Sequence, residues 1–341
     1  MRGGAATVPR PQPLPALTTP LPSAPAADAP LVRAAENTQA ARGDTWARRL
    51  LGRFHITGTF WLSAIMWVSR GSAVRAVSMV WLWSAVFFCC LVRPRRIVTR
   101  HLDHILGRAG FLRRQLRIFR FFKEHAWCLV ERFEQFRSDF KPKVEFEGDE
   151  WPDLLADPKG FVIVTGHIGM WEIGQLMPVT DGKRRLHVVR EREEHEGTQQ
   201  VVAELLASHP HASLVTHFLD DDLALGASLL SALRRGDVVC LAADRAKAGM
   251  VAMPATCFGH PVQMPVGPAA LARAADVLMV PTFVYRVGRR HYRVVARKPF
   301  KVARTADREA DLRAAVLRLA DEVEQAIRRD PFQWKRWEPL W

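Results

Sequence analysis

The sequence predicts an α/β fold: a mixed, mainly parallel central sheet flanked by helices, with a hydrophobic, membrane-associated helical region ahead of it. From residue 161 onward, short apolar and β-branched runs alternate with segments of helical period, as in strands joined by crossover helices. Upstream, residues 56–68 (ITGTFWLSAIMWV) and 77–92 (VSMVWLWSAVFFCCLV) are almost wholly apolar and rich in tryptophan. A chain of 341 residues holds one principal domain and an appendage. It divides into a disordered Pro/Ala-rich arm over 1–43, a hydrophobic anchoring region over 44–108, and an α/β domain with an amphipathic lead-in over 109–341.

The arm has no sustained apolar period, and its lack of an uninterrupted apolar core makes it a poor signal peptide. Neither apolar run alone reaches the roughly 20 residues of an ordinary membrane span. A span is available if Ala73 to Val92 forms one helix with Arg75 snorkelling; a pair of buried core helices is the alternative. The block RPRRIVTR follows the second run directly, and basic residues beside aromatic ones suit an anionic, cytoplasmic membrane face. Residues 109–139 place Phe, Leu and Trp on three- and four-residue steps with Arg and Lys between them. This is either a helix laid on the core with a solvated basic face or an interfacial helix.

KPKVEFEG then reads as an edge strand. FVIVTG is a strand followed by a helix over about 169–177. LHVVR leads to a helix over about 197–208, and SLVTHF to one over about 225–235. DVVCLAAD is a strand, GPAALARAA a helix, and VLMVPTFVYR and HYRVVARKPF are strands; an amphipathic helix over about 310–329 closes the domain. The formal charge of +14 calls for a negatively charged partner. Nucleic acid fits that charge worst, because the aromatic residues lie inside apolar runs and not across a nucleic-acid module. The five cysteines show no paired or metal-ligand spacing, which suits a reducing compartment.

The stretch FVIVTGHIGMWEIGQ, residues 161–175, carries the chemistry. A strand ending at Thr165, with Gly166 allowing a sharp turn, delivers His167 out of the core into the crevice beyond the strand ends. On one continuous helix His167 and Glu172 would be displaced by about 140°. If His167 sits just before the helix, its ring can fold back so that Glu172 accepts the Nδ1 proton and leaves Nε2 as a base. No serine or cysteine nucleophile stands beside this pair. Such a dyad suits direct attack of an alcohol on an activated acyl group, with the proton returned to a thiolate leaving group. The alternative is a structural histidine at a helix start with a solvated glutamate.

GHIGMWEIG, together with LRRGDVVCLAADRAKAGMVAMPATCFGHPVQMPVGPAALARAADVLMVPTFVYR, resembles the bacterial lysophospholipid acyltransferase superfamily, in the branch of the lipid A biosynthesis late acyltransferases. The resemblance runs from about Trp46 to the C-terminus and includes the terminal FQWKRW. His167, Gly169, Trp171 and Glu172 stand where that family has them, while Ile168 and Met170 replace its usual aromatic and asparagine. The resemblance implies that His167 is the general base and Glu172 its partner. It also implies that Arg190, in LHVVRER, holds a phosphate or the phosphopantetheine arm of a carrier, with a surface salt bridge as the alternative. The segment after Arg190 departs from the family pattern, which bears on acceptor recognition.

In LAADR, Asp244 and Arg245 stand where relatives have Asp-Gln; Asp244 would orient an acceptor hydroxyl or Arg245, and Arg245 would neutralise an acidic head group, or the two form a loop ion pair. Phe258 is expected to wall the acyl channel or simply pack, Gly259 to permit a turn, and Gly267 to open a helix whose N–H groups face an anion. Arg286 resembles a family position or is a solvated cation, and Trp334 is expected to pack.

The resemblance thus implies transfer of a fatty acyl group from acyl carrier protein or coenzyme A to a lipid hydroxyl at the bacterial inner membrane, with the catalytic domain facing the cytoplasm. A lipid A precursor leads as acceptor, and a glycerolipid, glycolipid or polyene lipid stands as alternative. Expected partners are anionic membrane lipids and the thioester donor, with no metal or other cofactor. A metal hydrolase lacks a third histidine at ligand spacing and the H-E-x-x-H pattern. A noncatalytic lipid-binding protein stays open, as does the oligomeric state.

Overall fold

The computed structural model describes residues 59–137, 139–176, 184–192, 199–204, 214–219, 224–247 and 249–339. The Pro/Ala-rich arm, the start of the anchoring region and half of the helix expected over 197–208 lie outside them; the described half, residues 199–204, is helical. In the hydrophobic region the two apolar runs form α1 (Thr59–Ser69) and α2 (Ala73–Cys90). α2 starts where the Ser72 side chain accepts from the Arg75 backbone N–H, the usual N-cap bond. Arg75 itself turns back: its guanidinium donates to the Trp67 carbonyl and lies over the Trp67 ring. α2 is the one described helix long and apolar enough to cross a membrane, by length and composition.

α3 (Val92–Leu106) and α4 (Phe111–Glu134) follow. Ala76, Val80, Trp83 and Phe87 of α2, at helical spacing, pack with Val98 and Leu102 of α3 and Ile118, Phe122, Ala126 and Val130 of α4. The opposite side of α2 leaves Val74, Val77, Trp81 and Leu82 exposed.

The strands are β1 (Lys143–Glu147), β2 (Phe161–Thr165), β3 (Leu186–Arg190), β4 (Leu214–Phe218), β5 (Val238–Ala242), β6 (Ala252–Cys257), β7 (His260–Pro265), β8 (Leu278–Gly288), β9 (His291–Ala296) and β10 (Phe300–Lys301). The main sheet runs β1-β9-β8-β2-β5-β3-β4, with β10 beside β8. Its pairings are parallel except β8 with β9 and β8 with β10, as the mixed, mainly parallel reading expects.

Further helices are α5 (Trp151–Ala156), α6 (Leu225–Arg234), α7 (Gly267–Ala275) and α8 (Arg308–Arg329). The continuous apolar run of β2 has a direct cause. Val162 and Val164 point into a core with α6, α7 and α8, whereas Phe161 and Ile163 point into a second core with Trp151 and Leu154 of α5. A strand covered on both faces cannot alternate with polar residues.

β6 and β7 pair apart from the main sheet. Cys257 faces His260 across a two-residue loop in which Phe258 (φ 52°) and Gly259 (φ 77°) both take positive φ, the turn geometry that suits a tight hairpin. The turn at Gly259 is expected from sequence; the flanking strands are not. Arg286 is no solvated cation. Its guanidinium pairs with Glu124 at 2.7 Å and lies over Trp127, with the side chain 9% exposed, so it ties β8 to α4.

Candidate active site

β2 and β5 are neighbouring parallel strands in which Thr165 is opposite Ala242. The Ala243 N–H donates to the Thr165 carbonyl at 2.9 Å, extending the register one step. Past that last rung each chain leaves the sheet at its carboxyl end, and His167 and Asp244 emerge side by side. Gly166 permits the approach: a Cβ there would stand 3.3 Å from the Asp244 Cβ. His167 Nδ1 lies 2.7 Å from Asp244 Oδ1.

Asp244 is held from several sides. Its side chain is inaccessible to solvent, the Trp334 Nε1–H donates to Oδ2 at 3.1 Å, and Arg336 donates to its backbone carbonyl. Burial, the largest single influence, pushes its pKa up; the charges of His167 and Arg245 and the bonds from His167 and Trp334 outweigh it and hold it well below the usual carboxylate range. An ionised carboxylate only accepts. The His167 proton therefore sits on Nδ1, and Nε2 is the free base.

The sequence expectation placed Glu172 at Nδ1, and the structure corrects that pairing. After β2 the chain does not enter a helix at once. Ile168 bridges Trp334 and Gly169 bridges Val284, with the Gly169 N–H donating to the Gln333 carbonyl and the Lys335 N–H donating to that of His167. The first helical turn, 3-10 in form, begins only at Trp171 and runs to Leu176. Clamped between β8 and the C-terminal segment, His167 faces the end of β5. Glu172 is buried in another environment, with Oε1 3.4 Å from Arg132 Nε and Oε2 without a hydrogen-bond partner among the described residues. Burial pushes its pKa up most strongly, yet Lys335, Arg132 and Arg190 together hold it below the ordinary value.

The site also takes in Arg190. It ends β3, the strand beside β5, and its guanidinium lies 5.1 Å from the Trp171 ring centre; that ring meets His167 edge-on at 6.5 Å. Arg245 is engaged within the protein, donating to the Lys335 carbonyl at 2.8 Å and to Glu338 at 3.3 Å. Phe258 is held from α8, where its N–H donates to Glu324 and Arg328 covers its ring. Gly267 opens α7, and a Cβ built there would meet nothing within 4 Å.

Sequence reading did not anticipate the Trp334 hydrogen bond, nor that Arg132 and Lys335 would surround Glu172. Trp334 is buried as expected, but a packing role says nothing of where its N–H points. These contacts join residues 40 to 163 positions apart, so no local spacing carries them.

The model of the bacterial lipid A biosynthesis acyltransferases matches residues 51–341. The chain belongs to this family. A phosphatidylinositol mannoside acyltransferase of Mycobacterium tuberculosis, in strains CDC 1551 / Oshkosh and ATCC 25618 / H37Rv, is 29% identical to this chain over 208 residues. That match covers 57% of this chain and 58% of the relative's length. In this member of the family, the C-terminal segment that clamps His167 is itself held by histidines. The His101 ring of α3 lies against Trp334, and His125 of α4 meets Trp337. Burial is the main cause that lowers His101 to about 4 and His125 to about 3.

Both histidines are neutral in the folded chain at neutral pH, and each would bind a proton more readily once unfolded. Stability is expected to fall as pH drops from about 6.5 toward 4, by up to ~1.4 kcal/mol per pH unit for each histidine. Glu131 and Asp330, whose pKa values are raised chiefly by burial, act in the opposite sense and gain stability as they protonate. Urea midpoints from pH 7.5 to 4.5 for wild type, His101→Phe and His125→Phe isolate the histidine contribution. A flatter slope in the variants is expected, and unchanged slopes would show that the histidines already protonate in the fold.

Proposed function

We propose that this protein transfers a fatty acyl group from an acyl-thioester donor to a hydroxyl of a membrane glycolipid. The observation that carries the reading is the His167–Asp244 pair at adjacent strand ends, in a chain of the lipid A biosynthesis acyltransferase family. In the step proposed, His167 Nε2 takes the acceptor hydroxyl proton as that oxygen attacks the thioester carbonyl carbon. The O–C bond forms, the C–S bond breaks as the tetrahedral intermediate collapses, and the proton passes to the departing thiolate. Asp244 holds the Nδ1–H tautomer and stabilises the transient imidazolium.

Glu172 then acts as a positioning residue, its charge fixing Arg132 and Lys335 against the turn that carries Trp171. Arg190, at the rim over Trp171, suits a phosphate of the donor arm or of the acceptor. Arg245 braces the C-terminal segment, Phe258 walls the acyl channel, and Gly267 opens a helix start toward an anionic group. The apolar α2 and the arginines of α3 support membrane association, with the catalytic domain on the cytoplasmic side of a bacterial inner membrane. A lipid A precursor and a phosphatidylinositol mannoside are the acceptors to try first, because the family and the relatives carry those names.

The test incubates purified full-length protein with acyl carrier protein or coenzyme A thioesters and a panel of acceptors: lipid A precursor, phosphatidylinositol mannoside and lysoglycerolipid. Intact-lipid mass spectrometry reads the product. One acceptor gaining a single acyl mass, with a matched release of thiol, is expected. Product with lysoglycerolipid alone would overturn the glycolipid reading. Lipid binding without product from any donor would overturn catalysis and leave a lipid-binding protein.

A further inference from the structure

We propose that the elbow between α3 and α4 is a membrane-docking site that seats the phosphate of an anionic phospholipid beside an inserted apolar wedge. This deepens the functional reading and rests on its lipid substrate. Two sets of residues meet at the elbow. The first is a cavity of about 340 Å³ lined by Arg100, Asp103, His104, Arg108, Ala109 and Arg114. Asp103 pairs with Arg114, while Arg100 and Arg108 are exposed and form no ion pair among the described residues. A concave site with unneutralised guanidinium groups matches a phosphate, which arginine contacts through two N–H groups at once.

The second set begins on the next turn. Phe111 and Leu112 at the start of α4 are 80% and 72% exposed, and Leu116 is 61% exposed. Side chains of this size have no reason to stand in water unless something apolar receives them. Leu112, Leu116 and Phe119 recur at helical spacing on one stripe. Phe119 in turn meets Trp81 and Phe88 of α2, so the stripe is continuous with the helix long enough to cross a membrane. Arg113, Arg117 and Arg120 repeat the same spacing one residue on. An apolar stripe flanked by arginines is the signature of a helix lying in the plane of a membrane interface. An acidic protein partner would match the arginines but not the protruding apolar side chains.

The elbow is also placed to present lipid to the site. His101, one residue from Arg100, lies against Trp334, the residue that bonds Asp244. His104 meets His260 of the β6–β7 hairpin at 3.0 Å. A phosphate held at Arg100 and Arg108 therefore sits at the C-terminal end of the helix whose His101 lies against Trp334.

The experiment is co-sedimentation of the full chain with phosphatidylcholine vesicles and with equimolar phosphatidylcholine–phosphatidylglycerol vesicles, without thioester donor. The variants are Arg100→Gln/Arg108→Gln, Leu112→Ser/Leu116→Ser, and a control with the same charge change on the exposed face of α8, Arg308→Gln/Arg313→Gln. The elbow arginine pair is expected to lose roughly thirtyfold in affinity for the anionic vesicles, with the control close to wild type. The leucine pair is expected to weaken binding to both vesicle types.

Equal losses in the elbow and α8 arginine pairs would show a diffuse charge effect and overturn the site. Unchanged anionic binding in the elbow arginine pair would do the same. If that pair instead keeps vesicle binding and loses binding to purified acyl carrier protein, the cavity is a protein dock and the proposal falls. His167→Ala should bind vesicles like wild type whatever its turnover, so failure of the elbow and failure of the acyltransferase reading are distinguishable.

Discussion

Replacing His167 with alanine is expected to lower kcat/KM for acyl transfer about a thousandfold or more, because no other described side chain at the end of β2 can take the acceptor proton. The more discriminating variant is Asp244→Asn. Its amide oxygen would accept from Trp334 Nε1, which now bonds Oδ2 at 3.1 Å, leaving the NH2 group toward His167 Nδ1, where Asp244 now sits at 2.7 Å. A donor there forces Nδ1 to accept, moves the ring proton to Nε2 and removes the base while the fold stays intact. A loss of roughly a hundredfold to ten-thousandfold is expected, chiefly in kcat.

Glu172→Gln separates the two candidate partners. It keeps the shape of the side chain but removes the charge that faces Arg132 and Lys335, so a loss no larger than about tenfold is expected. Michaelis constants and turnover for the three variants, with unfolding midpoints alongside, decide the matter. Equal collapse of Glu172→Gln and Asp244→Asn at unchanged stability would return the orienting role to Glu172.

The contrast between Asp244 and Glu172 shows how much was legible in the sequence. The central strands β2 and β8 were readable because each is an apolar run buried along most of its length, bounded by a glycine or a charged turn. His167 was readable because Gly166 and the end of FVIVT place it beyond a strand. Its partner was misassigned for a physical reason: proximity in sequence favoured Glu172, whereas the neighbouring residue in space comes from the next parallel strand. Asp244 was recognised as a strand-end residue, and only the order β2-β5 sets it beside His167. The same holds for Trp334 and Lys335, which reach the site because the chain after α8 returns along residues 167–169. Such a return is fixed by backbone hydrogen bonds, and these leave no side-chain signature.

That return makes Gly169 the most consequential residue in the motif after His167. It has φ +55°, and a Cβ built there would stand 2.1 Å from the Val284 carbonyl oxygen and 2.8 Å from Gln333 Oε1. The first contact is with backbone in the middle of β8, which cannot move without breaking its pairing to Val294 of β9. Gly169→Ala therefore meets both a steric clash and a left-handed backbone that costs an L-residue roughly 1–2 kcal/mol by itself. A total destabilisation of about 3 kcal/mol or more is expected. Relief would come by pulling residues 167–169 away from β8 and the C-terminal segment, which displaces the His167 ring from Asp244. A shift on the order of 1 Å in a catalytic group costs roughly a hundredfold in rate. Gly267→Ala is the matched comparison: its added methyl meets nothing within 4 Å, and a change within about 0.5 kcal/mol is expected. Urea unfolding of both variants, with kcat measured well below the transition, gives the answer. A Gly169→Ala protein as stable and as active as wild type would mean that the strap along β8 does not hold His167 in place.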